Sequence, residues 1–434
     1  MHAASASPYA LSPFDLAALL VVASALLGTI NHKLFRLPHV IGLTVMGAAL
    51  AIGLVLADKL IPGVSLGYWV AGLLERLNFT DTLLQGMLSF LLFAGALHVD
   101  LVPLKRNWLP VLLLSTAGVI ISTLIVGFII WGGAVLIGIT LPPVWYFVFG
   151  ALISPTDPVS VLGVLKQEKV PEGLQAAVAG ESLFNDGVGI VVFVILLDAA
   201  VTGTDFSLAS GARLFAFEAG GGLLLGAAIG WTGYYALKSM DEYALEVLIT
   251  LAVVMGGYAL AAQLHFSGPL AMAVAGLIVG NQGVAHAMSD LTRDYVIKFW
   301  ELVDELLNSV LFLLIGLELI ALTPGAPQVL IGLLAIPATL VARGISVTIT
   351  TKLVPHTRLS DQGSGRILWW GGLRGGISIA LALSLPVGDT RNLLLAATFA
   401  AVMFSVLIQR ATIGRLIARL KSSDAECVAP STPS

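Results

Sequence analysis

Long apolar runs, cut by short polar connections, set the pattern of this sequence. A helix needs about 20 apolar residues to cross the hydrocarbon core of a bilayer. On that measure the runs predict thirteen membrane-spanning helices, at 14–31, 39–57, 82–101, 108–138, 142–165, 174–200, 212–238, 243–263, 268–285, 298–322, 326–352, 364–387 and 391–418. The pattern describes an all-α polytopic membrane protein. The membrane domain is expected over 1–421, with a short polar tail over 422–434.

Composition sharpens this. The chain is 57% hydrophobic and 11% charged, with a mean hydropathy of +0.96. Soluble domains carry about 25% charged residues, so a large soluble core is excluded. A net charge of −4 gives no sign of nucleic-acid binding. The single cysteine, Cys427, excludes an intrachain disulfide and a cysteine metal cluster. Met1 to Pro13 carry no Lys or Arg, which argues against a cleaved signal peptide. No phosphate-cradling Gly-x-x-x-x-Gly-Lys run occurs, so an ion gradient, not ATP, is the expected energy source.

Basic residues sit asymmetrically about the spans. Of the 22 Lys and Arg, Lys59, Arg76, Arg213 and Arg391 fall on one side. Arg343 and Arg374 lie within spans, and the other sixteen, Lys33, Arg36 and Arg358 among them, fall on the opposite side. The basic side is the cytoplasmic one, which predicts an N-terminus outside and a C-terminus inside.

A weak internal repeat runs through the pattern. Leu91-Leu92-Phe93-Ala94-Gly95-Ala96-Leu97 in span 3 resembles Phe312-Leu313-Leu314-Ile315-Gly316-Leu317-Glu318 in span 10. Span 2 follows Pro38 with Gly42, Gly47 and Ala48, and span 9 follows Pro269 with Ala271, Ala273, Ala275 and Gly276. Both pairs are seven spans apart. The expected units are therefore 14–200 and 243–418, joined by the helix 212–238, with the second unit inverted. Transporters built this way place their sites on interrupted helices near the membrane midplane.

The repeat pairs span 5 with span 12, and both carry helix breakers. Span 5 contains Ser154-Pro155-Thr156-Asp157-Pro158. Proline removes a backbone donor and disfavours helix in the residue before it. Span 12 contains Gly371-Gly372-Leu373-Arg374-Gly375-Gly376. Each glycine costs a helix about 1 kcal/mol relative to Ala. The expectation is that Asp157 faces freed carbonyls of one half-helix, a natural cation site, while Arg374 compensates its own break. Between them in sequence lies Gly180-Glu181-Ser182-Leu183-Phe184-Asn185-Asp186-Gly187, heading an apolar run. A carboxylate within a span costs about 2.5–3.5 kcal/mol on insertion scales, so these acids are expected to hold a cation or a proton in transit.

These residues resemble the monovalent cation:proton antiporter-1 family, which holds the bacterial NhaP-type and animal NHE-type sodium/proton exchangers. The resemblance runs from Pro38 to span 13. It is carried by Thr156-Asp157-Pro158, by Gly180 to Gly187, by Arg343 and by Gly371-Gly372-Leu373-Arg374-Gly375. It implies a six-helix core beside a dimerisation bundle, a homodimer in the plasma membrane, and sodium and protons as cargo with no cofactor. It implies that Asp186 binds the ion and carries the proton, with Asp157, Thr156 and Ser182 completing a sodium site. It also implies that an arginine holds Glu181, and that Asn185, where relatives have Asn or Asp, goes with electroneutral exchange.

Other readings stand beside these. Asp157 also suits the cap of a half-helix, although its place between two prolines favours the ion. Glu181 lies five residues before Asp186, about 140° round a helix, so the two do not share a ligand. Its partner is Arg343 or Arg374. Gly187 and Gly189 suit close helix packing. Glu301, Asp304, Glu305 and Asn308 share one helix face, as a solvated helix end or as an acidic funnel that concentrates cations. His98 and His265 read as structural, and Trp369 and Trp370 as packing or interface aromatics. Lithium or potassium are alternatives to sodium. An intramembrane aspartyl protease would need a Gly-x-Gly-Asp run, which is missing. A cation channel would show currents without a pH gradient.

Overall fold

The computed structural model describes residues 13–61, 86–157, 159–203, 208–284, 287–321, 325–354 and 362–428, with the isolated positions Gly67, Val70 and Gly72. Arg76, Pro158 and Arg358 lie outside the described residues. The described residues form helices joined by short turns and breaks, with no strand among them, and the helices follow the thirteen expected spans. Among the described residues, eight helices are long and apolar enough to cross a membrane: those of spans 1, 2, 4, 6, 7, 8, 11 and 13. The others miss that standard for readable reasons. Span 3 is described as helix only from Leu88, spans 5 and 12 are broken, span 9 is short, and span 10 carries charge in its first half.

The chain divides into two compact units. The first joins the N-terminal residues to Leu83 with Glu305–Thr323. It holds α1 (Pro13–Ile30), which widens into a π turn over Asn31–Phe35, and α2 (His39–Leu60). A Cβ on Gly316 would lie 2.5 Å from the Thr44 carbonyl, and one on Gly47 would lie 2.7 Å from the Leu313 carbonyl. Two glycines therefore let these backbones touch, the usual route to tight packing in lipid.

The second unit covers Leu84–Asp304 and Pro324–Ser434. Its helices are α3 (Leu88–Leu97), α4 (Leu101–Arg106), α5 (Trp108–Ser115), α6 (Ala117–Ile137), α7 (Val144–Ile153), α8 (Val159–Gln167), α9 (Glu172–Thr202), α10 (Leu208–Lys238), α11 (Tyr243–Gln263) and α12 (Gly268–Ile278). The helix α13 (Asp290–Leu317) begins in this unit. Then come α14 (Ala326–Leu353), α15 (Gln362–Trp370), α16 (Gly376–Leu383), α17 (Asp389–Phe404) and α18 (Arg410–Val428). The tail expected from residue 422 is thus helical to Val428. One buried cluster gathers Phe93, Leu97, Met272 and Trp300, and the Trp300 indole donates to Thr250 Oγ1 at 3.0 Å. A second cluster, with Leu165, Ala177, Leu183, Leu368 and Ile413, surrounds the interrupted helices.

Candidate functional site

Helix stops where the breakers stand. α7 ends at Ile153 and α8 begins at Val159; α15 ends at Trp370 and α16 begins at Gly376. The two gaps interlock. The Asp157 amide donates to the Leu373 carbonyl at 2.8 Å. The Arg374 guanidinium donates to the Ser154 carbonyl, and to that of Pro155 at 3.0 Å. Arg374 therefore serves the break of the other helix and not its own. The freed carbonyls expected to ligate a cation go to a guanidinium instead. The reason is proximity: crossing at the gaps brings a cation to the negative end of α7, where helix dipoles favour it.

The second carbonyl end is served by Arg343 on α14. Its Nε and Nη2 donate to the Leu368 carbonyl at 3.2 and 3.0 Å. The same guanidinium forks onto Glu181: Nη1 donates to Oε1, and Nη2 to Oε2 at 2.9 Å. Of the two candidate partners for Glu181, Arg343 makes this contact, while Arg374 feels the charges of Arg343 and Glu181 without sharing the fork. Glu181 is 1% exposed and Arg343 6%, so the pair is shut away from solvent.

The same stretch of α9 carries the other polar groups, with Asp186 about 140° round the helix from Glu181. Asn185 bridges the unwound backbone: Nδ2 donates to Thr156 Oγ1 at 2.7 Å, and Oδ1 accepts from the Thr156 amide at 3.3 Å. Thr156 Oγ1 and Ser182 Oγ lie 3.1 Å apart. Every backbone donor that unwinding frees at Thr156 and Asp157 is thereby satisfied, as a membrane interior demands. Asp186 is 2% exposed, and its Oδ1 has no hydrogen-bond partner among the described residues. Asp157 is partly buried, and its charge and that of Asp186 act on each other. Asp157 lies against Gly375 at the head of α16, so the positive end of that helix faces its carboxylate.

The glycines are packing devices. A Cβ on Gly187 would lie 2.4 Å from Leu270 Cγ, and one on Gly189 2.6 Å from Pro155 Cγ. The acids of α13 are spread out: Glu301 is exposed, Asp304 half-buried, Glu305 exposed and Asn308 buried. Glu301 lies 3.8 Å from His98.

Sequence reasoning missed the part played by span 13. A π turn over Ser405–Gln409 separates α17 from α18. Ser405 Oγ accepts from the Arg374 amide at 2.8 Å, and Gln409 Nε2 donates to the Trp370 carbonyl at 3.1 Å. Arg410, counted among the cytoplasmic residues, feels the charge of Asp157. Two polar residues four apart in an apolar run were the available signal.

Two crossed half-helix pairs, charge-capped around a buried acid with an open oxygen, suit a membrane protein of the secondary-transporter class. The chain belongs to the sodium/hydrogen exchanger family, whose transmembrane model matches residues 21–419. The family is one of secondary transporters, not enzymes. The Na(+)/H(+) antiporter NhaP of Pseudomonas aeruginosa is 44% identical over 416 residues, covering 94% of this chain and 96% of the relative. The Na(+)/H(+) antiporter NhaH of Halobacillus dabanensis is 34% identical over 347 residues, covering 79% of this chain and 84% of the relative. Among solved structures, the sodium proton antiporter MjNhaP1 from Methanocaldococcus jannaschii at pH 8 matches with a TM-score of 0.74 at 21% identity. That likeness covers 94% of this chain and 98% of the other, and speaks for the fold.

Proposed function

We propose that this protein exchanges sodium for protons by alternating access, with Asp186 as the group that holds each in turn. The observation that carries the reading is the open oxygen of Asp186, buried within electrostatic reach of Asp157 and next in the chain to Asn185, whose amide holds Thr156. A carboxylate that binds sodium must be ionised, so proton and cation exclude one another at one site. That competition is antiport without any further device. Raising the proton concentration should therefore raise the sodium concentration needed for half-maximal rate. Dequenching of a pH dye in proteoliposomes, with sodium, lithium and potassium added in turn, tests the reading and ranks the ions. A protein that passes cations with no proton movement would overturn it.

Exchange should be electroneutral. Asn185 stands one residue before Asp186, where a second acid would bring a second proton. A membrane potential of either sign, clamped with potassium and valinomycin, should leave the sodium-driven rate unchanged. Any net charge moved would couple to about 2.3 kcal/mol per 100 mV. A rate that scales with potential would point to a second proton carrier, with Asp157 the first suspect.

Gly375→Ala should weaken apparent sodium affinity. The added Cβ would stand 2.8 Å from Asp157 Cβ and 3.3 Å from its Oδ2. Overpacking of this kind costs about 1–3 kcal/mol, and here the carboxylate is what must move. Wild-type affinity in this variant would remove Asp157 from the ion site.

The inverted repeat finds support in two matching contacts. In the first unit, Gly47 and Gly316 let spans 2 and 10 touch. In the second unit, a Cβ on Gly276 would lie 2.7 Å from the Phe93 carbonyl, where spans 9 and 3 touch. Exchanging each span for its repeat partner turns one contact into the other. The reading includes repeats over 14–200 and 243–418, an outside N-terminus, a cytoplasmic C-terminus and a homodimer. The acids Glu301, Asp304 and Glu305 then mark the inner mouth.

A further inference from the structure

We propose that the turn between α1 and α2 is a binding site for the phosphate headgroup of an anionic phospholipid. A cavity of about 660 Å³ opens here, lined by Gly28, Asn31, His32, Lys33, Arg36, Leu37 and His39. Every ionisable group on that lining is basic. Among the described residues, neither Lys33 nor Arg36 has an acidic partner within salt-bridge distance.

The turn is built, not loose. Asn31 is 2% exposed and clamps Leu37 from both sides: Nδ2 donates to the Leu37 carbonyl at 2.9 Å, and Oδ1 accepts from the Leu37 amide at 3.3 Å. Gly42 makes the room, since a Cβ there would lie 2.3 Å from the Asn31 side chain. Arg36 sits in the left-handed region at φ 51°, its amide donating to the Asn31 carbonyl at 2.6 Å. An arginine in that conformation is uncommon, and here the hydrogen-bonded turn holds it at the cavity rim. His39 is fixed by Ser309 at 2.7 Å.

An apolar track leads away from the same rim. Val22, Leu26, Ile30 and Leu34 are spaced four apart and are 56%, 60%, 37% and 72% exposed, one stripe along a helix. Phe35 is 59% exposed beside them. Unpaired cations above a lipid-facing apolar stripe match an anionic headgroup above its acyl chains. A free anion would have no use for the stripe. Basic pockets between membrane helices bind anionic lipid headgroups by this combination.

The test uses the full-length protein in a mild detergent, titrated with phosphatidylglycerol and followed by native mass spectrometry and by thermal melting. Phosphatidylglycerol should bind and raise the melting temperature, whereas phosphatidylcholine and inorganic phosphate should not. Replacing Lys33→Gln with Arg36→Asn should weaken the apparent affinity about thirty-fold, two basic groups at about 1 kcal/mol each. Asparagine keeps the left-handed turn at 36. Asn31→Ala, which keeps every charge, should also blunt the lipid-dependent shift, read against that variant's own lipid-free melting point. Lys105→Gln with Arg106→Gln removes an exposed basic pair elsewhere and should leave the shift intact. Equal loss in that control would reduce the effect to general surface charge and overturn the site. An equal response to inorganic phosphate would overturn the lipid as its occupant.

Discussion

Asp186→Asn is expected to abolish sodium-driven proton movement and leave the protein folded. The amide keeps the shape of the carboxylate but can neither carry the proton nor offer a negative charge to sodium. Folding should survive because, among the described residues, Asp186 has no ion-pair partner to strand: the arginines of the site are engaged elsewhere, Arg343 by Glu181 and Arg374 by the carbonyls of Ser154 and Pro155. Removing a buried charge also removes a desolvation cost, so the melting temperature should hold or rise. Asp157→Asn should be milder. Its carboxylate lies at the head of α16 and its backbone amide is already fixed by Leu373, so the substitution lowers sodium affinity and leaves the crossing in place. Purified variants in proteoliposomes with a pH dye, beside melting curves, separate these outcomes. Sodium-driven proton movement retained by folded Asp186→Asn protein would end the central assignment.

The interruptions were legible because their cause is local. Pro155 denies the backbone a donor, and the glycines about Leu373 and Arg374 weaken helix wherever the chain goes. The spans were legible because bilayer thickness fixes helix length. What each break does with its freed groups was not legible. That depends on which gap crosses which, and crossing is a property of the packed molecule. Arg374 lies far from Ser154 in sequence, so nothing local aims its guanidinium at that carbonyl. The π turn at Ser405–Gln409 was hidden for another reason: one extra residue in a helical turn leaves no mark on an apolar run. Arg410, counted with the basic side although the span 391–418 contains it, feels the charge of Asp157. The division of the chain between Asp304 and Glu305, inside α13, likewise has no composition signal. What the Asn185 amide holds, the unwound Thr156, also shows only in the packed molecule.

Glu181 and Arg343 should behave as one structural element, with unequal consequences when either is lost. Glu181→Gln leaves a buried guanidinium that still has the Leu368 carbonyl as partner. Arg343→Gln strands a buried carboxylate and also uncaps the end of α15. Breaking one member of a buried pair costs about 3–5 kcal/mol, and the arginine change adds an unsatisfied helix end to that. The melting temperature should therefore fall in the order wild type, Glu181→Gln, Arg343→Gln. The double variant Glu181→Gln with Arg343→Gln should recover part of the loss, because two amides can hydrogen-bond each other and neither strands a charge. Apparent sodium affinity of the folded fraction should stay close to wild type, since Glu181 projects away from Asp186 on α9. Thermal melting in detergent and dye-based exchange assays on the same preparations read both quantities. A stable Glu181→Gln protein with collapsed sodium affinity would make Glu181 an ion ligand, and a double variant no better than Arg343→Gln alone would mean that the capping of Leu368, not the ion pair, is what holds α14 to α15.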